Sequence, residues 1–338
     1  MSVQPMGELE VELPSGAPHD PAGEAKIEGR SLGQIAWRRL RRDKVAAVSA
    51  VFIVLLALVA ILAGPLTSWY GQSPNTIHNS PPDSVLDPST QMPVGSFGGA
   101  SGSHWLGVTP ALGNDVLANL IYGARTSLII GVLATLLSVV LGVAAGLAAG
   151  YYRGFADTLL SRLMDLLLSF PQLLFALSLI AIFVDVPSFA GLSGTPLRFA
   201  VIIFVLGFFG FPYIGRIVRG QVLSLREKEF VDAARSLGAS NYRIMTREIL
   251  PNLVGPILVY ATLAIPNNIL GEAGLSYLGV GVPQGTPSWG KMLSDAGNYF
   301  TVDPTYLFVP GAALFLAVLA FNLFGDGLRD ALDPKSAR

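Results

Sequence analysis

Residues 126–150 read TSLIIGVLATLLSVVLGVAAGLAAG, a run without one charged side chain. At about 1.5 Å rise per residue, a helix of this length crosses the ~30 Å hydrocarbon core of a bilayer. Working outward, comparable runs occupy Val45–Ala63, Leu163–Val184, Phe199–Val218, Leu250–Leu270 and Tyr306–Phe324. Asp165 interrupts the start of the run at 163–184, and Arg216 the end of the one at 199–218. The run from Leu250 carries Pro251, Pro256, Pro266, Asn267 and Asn268, so its ends are the least defined. Proline in a buried span marks a kink whose freed carbonyls find partners elsewhere. The expectation is an all-α polytopic membrane protein with six transmembrane helices.

Composition points the same way. Apolar AVILMFWYC residues make up 51% of the 338 residues and charged residues 13%, with a mean hydropathy of +0.55. Soluble proteins carry about 25% charged residues, and a soluble fold of this size needs them to cover its surface. A net charge of −1 gives no support for a nucleic-acid partner. The absence of cysteine excludes a disulfide scaffold, a cysteine nucleophile and a cysteine-ligated metal. His19, His78 and His104 all lie outside the apolar runs, so no histidine-ligated metal or haem is expected within the membrane.

The basic residues set the orientation. Alternating loops assign 19 of the 22 Lys and Arg to one face, leaving Arg125, Arg198 and Lys291 on the other. By the positive-inside rule this fits an even number of spans with both termini cytoplasmic. Residues 1–30 are polar and acidic and read as a disordered cytoplasmic tail, not a cleavable signal. Residues 31–63 form a basic amphipathic lead-in, with Arg38, Arg39, Arg41, Arg42 and Lys44, followed by the first span. Residues 64–125 form a long external loop or cap whose end, from Val116, takes on helical periodicity. Residues 326–338 form a short cytoplasmic tail.

Several motifs carry both a chemical and a packing reading. Gly142, Gly146 and Gly150 make two overlapping GxxxG patterns, which let helices approach closely in lipid; a dinucleotide fingerprint would need a preceding strand. GTPSWGKM at 285–292 approaches a phosphate-binding loop, but Met292 stands where Ser or Thr should hold Mg²⁺. GLSG at 191–194 matches the short serine signature of an intramembrane protease, yet no span contains a histidine base. Asp165 and Glu272 lie towards the ends of spans, where a pathway role and structural pairing are both open. A membrane enzyme would need a buried nucleophile–base pair or a metal cluster, and the sequence offers neither. A passive channel is the other reading from a different class.

The stretch LREKEFVDAARSLGASNYRIMTREILPNL at 225–253 is the most informative loop. Its pattern predicts a helix over about 229–237 closed by Gly238, then a second helix starting near Ser240. A rigid helix-turn-helix projecting from a membrane domain suits a groove on a soluble partner, with Ala233 and Ala234 permitting close approach.

This loop resembles the coupling motif of bacterial ABC importer permeases: Asp232-Ala233-Ala234, then Gly238, then Ile249-Leu250-Pro251. Asp232 replaces the usual Glu, and Glu248 occupies an ordinarily apolar position. Over residues 31–333 the chain further resembles the second permease subunit of dipeptide and oligopeptide importers. The likeness is carried by WRRLRRDKVA, HWLG at 104–107, LIYGARTSL at 120–128, SFPQLL at 169–174, GEAGLSYLGVGV at 271–282 and PSWGKML at 287–293. Asn114 departs from the family, where Arg is common.

The resemblance implies one N-terminal span plus a five-span permease core over 126–325, with a cytoplasmic coupling loop at about 220–249, in a bacterial cytoplasmic membrane. It implies a heterodimer with a second homologous permease subunit, two ATPase subunits or one fused ATPase, and an extracytoplasmic substrate-binding protein. ATP and Mg would belong to the ATPases, with no cofactor on this chain. Glu229, Phe230, Asp232, Ala233, Ala234, Gly238, Ala239, Leu250 and Pro251 would couple to the ATPase. Phe170, Pro171, Phe211, Pro212, Asn267, Asn268 and Glu272, at irregularities of the spans, are candidates for the pathway of di- or oligopeptides. A permease for nickel, glutathione or another small solute is the alternative.

Overall fold

The computed structural model describes residues 32–79, 85–184 and 186–333. The tail expected over 1–30 and the last residues of the C-terminal segment lie outside the described residues. The described chain is mostly helical. In order it forms α1 (Leu32–Arg42), α2 (Lys44–Ile61), α3 (Ala63–Tyr70), α4 (Val116–Tyr151), α5 (Phe155–Ser169) and α6 (Gln172–Val184). A two-residue-strand hairpin follows, β1 (Ser188–Phe189) with β2 (Leu192–Ser193), then α7 (Gly194–Leu225), α8 (Glu229–Ser236) and α9 (Asn241–Arg243). A π-helical turn (Ile244–Ile249) leads directly into α10 (Leu250–Tyr277), and α11 (Trp289–Ala296) and α12 (Pro304–Leu332) complete the fold.

Five helical stretches are long and apolar enough to cross a membrane, and the bent pair α5–α6 makes a sixth if counted as one span. Here the sequence reading needs correction. The apolar run Leu163–Val184 is not one straight helix: its two halves meet at 84°. The cause is local. Phe170 precedes a proline, which disfavours helical backbone there, and it sits at φ −77°, ψ 136°. The run read from Leu250 also begins earlier, since helix is continuous from Asn241 to Tyr277.

The centre of the bundle is the contact of α4 with α7, and the glycine stripe makes it possible. A Cβ on Gly142 would lie 2.8 Å from Ile214 Cβ, one on Gly146 2.6 Å from Gly215 O, and one on Gly150 2.7 Å from Val222 Cβ. With no side chains in the way, the two backbones pack almost directly on one another. α5 is tied to α7 by a bidentate pair, Arg219 Nε to Asp157 Oδ1 at 2.6 Å and Nη2 to Oδ2 at 2.9 Å, and by an Arg216–Asp165 pair. Asp165 therefore has a structural partner.

At one end of α4 lies a cap formed by residues 64–79 and 85–115. Fully buried Asp115 organises it, accepting from Tyr70 Oη (2.9 Å) and from the backbone N–H of Ala118 (2.7 Å), with His104 Nδ1 at 2.8 Å. One carboxylate thus caps α4 and holds α3 and the HWLG segment against it. Asn114 donates to Thr76 O at 2.8 Å, tying the cap internally. The GLSG segment is exposed and runs from the hairpin turn through β2 to the first residue of α7. Ala190 and Gly191 both have positive φ, the geometry of a two-residue hairpin turn.

Candidate coupling face and groove

The opposite end of α4, at Tyr151, carries α8. Two backbone bonds close this helix: Gly238 N–H to Arg235 O at 3.0 Å and Ala239 N–H to Ala234 O at 3.0 Å. Together with Gly238 at φ +79° they form a Schellman motif, which needs a residue at ease with left-handed backbone. Ser240 then caps α9, its hydroxyl accepting from Arg243 N–H. Turn and restart follow the chemistry of Gly238 and Ser240.

α8 stands on the bundle through a small foot. Val231 is fully buried among Tyr151, Val222 and Ile244, and Ala234 and Ala239 pack at the edge of this cluster. Arg226, 7% exposed, donates to Gly150 O (3.1 Å) and Tyr151 O (2.9 Å). A cation on the last carbonyls of α4 suits the helix dipole. Tyr151 Oη donates to Asn241 Oδ1 at 2.9 Å, joining α4 to α9.

The rest of α8 faces outward. Glu229, Phe230, Asp232 and Ala233 are exposed, Leu237 is 88% and Tyr242 73% exposed. Leu237 and Tyr242 were missed from sequence, though bulky apolar residues flanking a surface glycine turn were the available signal. Ala234 faces the bundle, not solvent. Leu250 and Pro251 lie beyond the π-helical turn, at the base of α10.

A second feature is a cavity of about 940 Å³, open on one side, between α6, α7, α10 and α12. Its polar lining includes Gln172, Tyr213, Tyr260, Asn267, Asn322 and Arg329. Of the residues expected on a pathway, Asn267 and Asn268 line it. Asn268 also donates to Thr135 Oγ1 at 2.8 Å. Phe170 and Pro171 form the α5–α6 break beside Gln172. Phe211, Pro212 and Glu272 are buried in helix contacts and lie outside the lining of this cavity. Glu272 is wholly enclosed, accepting from Ser127 Oγ (2.8 Å) and Ser276 Oγ (2.7 Å). Nearby, Gly290 lets α11 approach so closely that a Cβ would lie 2.4 Å from Ala273 Cα. Glu272 therefore joins α4 to α10 at the seat of α11. The phosphate-loop-like segment serves this packing, with Ser288 capping α11 and Lys291 paired with Asp295 at 2.7 Å.

A bundle of apolar helices, a short helix displayed at one end and a polar groove open along one side define a polytopic α-helical transport subunit. Residues 142–338 match the family described as the binding-protein-dependent transport system inner membrane component, and residues 31–82 match the N-terminal TM domain of oligopeptide transport permease C. The chain belongs to this family of ABC importer permeases and is a multi-pass protein of the bacterial inner membrane. It is 38% identical over 318 residues to a dipeptide transport system permease protein of Alkalihalophilus pseudofirmus, covering 94% of this chain and 95% of that one. It is 40% identical to the oligopeptide transport system permease protein of Escherichia coli K12, covering 92% and 93%. It is 39% identical to a glutathione transport system permease protein of Shigella flexneri, covering 88% and 89%. Among solved structures, the MetNI methionine ABC transporter shares the fold at a TM-score of 0.52 and 19% identity, over 64% of this chain and 97% of that one.

Proposed function

We propose that this chain forms half of the translocation pathway of an ATP-driven peptide importer and couples it to ATPase subunits through α8. The observation that carries the reading is the α8–α9 turn: α8 is fixed by a Schellman turn and footed on Val231, and Phe230 and Ala233 on α8, Leu237 in the turn and Tyr242 on α9 face outward. That surface fits a hydrophobic groove on a soluble partner. ATP and Mg sit on that partner, and ATPase closure draws α8 inward. The rigid bundle transmits the movement to the groove as alternating access. Both termini are cytoplasmic in this scheme.

The groove opens on one side, so a second, homologous permease subunit completes it, and an external binding protein delivers the substrate to the cap side. Amides and tyrosines on its wall suit the alternating donors and acceptors of a peptide backbone. The glutathione relative supports a narrower alternative, a short peptide thiol or another small solute. Purifying the chain with its native ATPases and second permease in proteoliposomes tests both readings. Di- or oligopeptides presented with the binding protein are expected to stimulate ATP hydrolysis and to be taken up. Stimulation by glutathione alone would select the alternative, and uptake without ATP would refute the coupling scheme.

A further inference from the structure

A second groove, about 600 Å³, lies on the outside of the bundle, away from the polar one. One wall is α2, through Ile53, Ala57, Ala60 and Ile61, a set spaced to share a helix face. The other is α4, through Arg125, Leu128, Ile129 and Val132, which share a face in the same way. Arg125 is the one charged residue in the lining.

The depth of the groove follows from α2. Its 18 residues span about 27 Å, close to the ~30 Å hydrocarbon thickness. It starts at Lys44, directly after the basic α1, so Ile61 reaches the opposite interface. Arg125 lines the groove with Ile61 and therefore sits at headgroup level. Trp69 follows Ile61 by little more than two helical turns and packs edge-on against Trp105 with ring centroids 6.3 Å apart; both are exposed, at 79% and 54%, as in an interfacial aromatic belt. From Ile53 to Ile61 the groove runs about 12 Å, most of one leaflet.

Arg125 is exposed. Lys291 on the same side is paired with Asp295, whereas Arg125 makes no ion pair among the described residues. A planar guanidinium at headgroup level matches a phosphate diester, with which it forms paired charge-assisted hydrogen bonds. A protein helix filling the groove would bury that cation and would have to supply a carboxylate.

We propose that this groove binds one anionic phospholipid, with its phosphate on Arg125 and an acyl chain between α2 and α4. The test uses the intact transporter in detergent, mixed with equimolar phosphatidylglycerol and phosphatidylcholine of equal chain length and read by native mass spectrometry. One phosphatidylglycerol per copy of this chain is expected, retained about fivefold over phosphatidylcholine, the weight of one interfacial cation. Arg125→Gln should bring the preference to about one, and Ala57→Trp, which fills the groove, should remove both lipids. Should Ala57→Trp fail to assemble, Val132→Trp blocks the same groove from an exposed position. Unchanged preference in Arg125→Gln, or lipid retention in a blocked groove, would overturn the proposal. So would a photo-crosslinker at Val132 that captures the second permease subunit in place of lipid.

Discussion

Gly146→Ala adds one methyl group where α4 crosses α7. Its Cβ would stand 2.6 Å from Gly215 O and 2.7 and 2.8 Å from Val218 Cβ and Cγ1. Carbon atoms rest about 3.5–4.0 Å apart, so the helices must separate locally by about 1 Å. Overpacking of this kind costs about 1–3 kcal/mol. The better helix propensity of alanine returns about 0.5–1 kcal/mol, leaving a net destabilisation of about 0.5–2 kcal/mol. Gly220 supplies the control. It lies on α7, is exposed, and a Cβ there meets nothing within 4 Å. Gly220→Ala is therefore expected to be neutral or stabilising. Both variants can be followed by circular dichroism during SDS-induced unfolding in mixed micelles. The double variant Gly142→Ala/Gly146→Ala should lose less than the sum of its parts, because one separation relieves both clashes. A Gly146→Ala protein as stable as the parent would refute the argument that this contact is limited by Cβ space.

The remaining expectations concern the coupling end and the cap. Gly238→Pro cannot adopt φ +79° and should abolish ATP-driven uptake while leaving the chain in the membrane; normal uptake in proteoliposomes would contradict the role given to α8. Arg226→Gln removes two charge-assisted bonds to the end of α4 and should cost about 1.5–3 kcal/mol, with faster amide exchange in residues 222–231 as the local readout. In the cap, Ser89 and Thr90 donate backbone and hydroxyl hydrogens to Asp87 Oδ1, and the Ser89 hydroxyl above all holds the Asp87 carboxyl down at about 2 from 3.8. The ionised form is favoured in the fold, so the turn's stabilisation is complete above the ordinary carboxylate range and is lost as pH falls through about 2. Selective carbon-13 labelling should show that midpoint, and Ser89→Ala should raise it.

The span plan was legible because apolar length is a one-dimensional signal. Its failure at Phe170–Pro171 is instructive: hydropathy is continuous across the bend, and only the proline announces it. The glycine stripe was readable as a packing surface, but that it faces α7 depends on tertiary geometry. α8 was readable almost to the residue, because Gly238 and Ser240 impose their own turn and cap. The groove was not. Its other polar side chains are spread over four helices, amides, phenols and a guanidinium in or beside apolar stretches, as with Gln172, Tyr213 and Asn322. For Glu272 the sequence left a pathway role and structural pairing both open, and serine hydroxyls from two helices enclose it. The π-helical turn left no hydropathy trace. It precedes Pro251, whose ring and missing N–H disturb regular α-helical bonding in the preceding turn.

Leu237, at the end of α8, and Tyr242, on α9, are 88% and 73% exposed. On a finished transporter such side chains would be covered, but on a newly inserted orphan they would meet water. Large exposed apolar surface attracts chaperones and proteases. If this turn docks on an ATPase as proposed, the same surface would also mark the unassembled subunit for removal. Supply of this chain beyond that of its partners would then be self-correcting, with the copy number in the membrane set by the scarcest component of the complex.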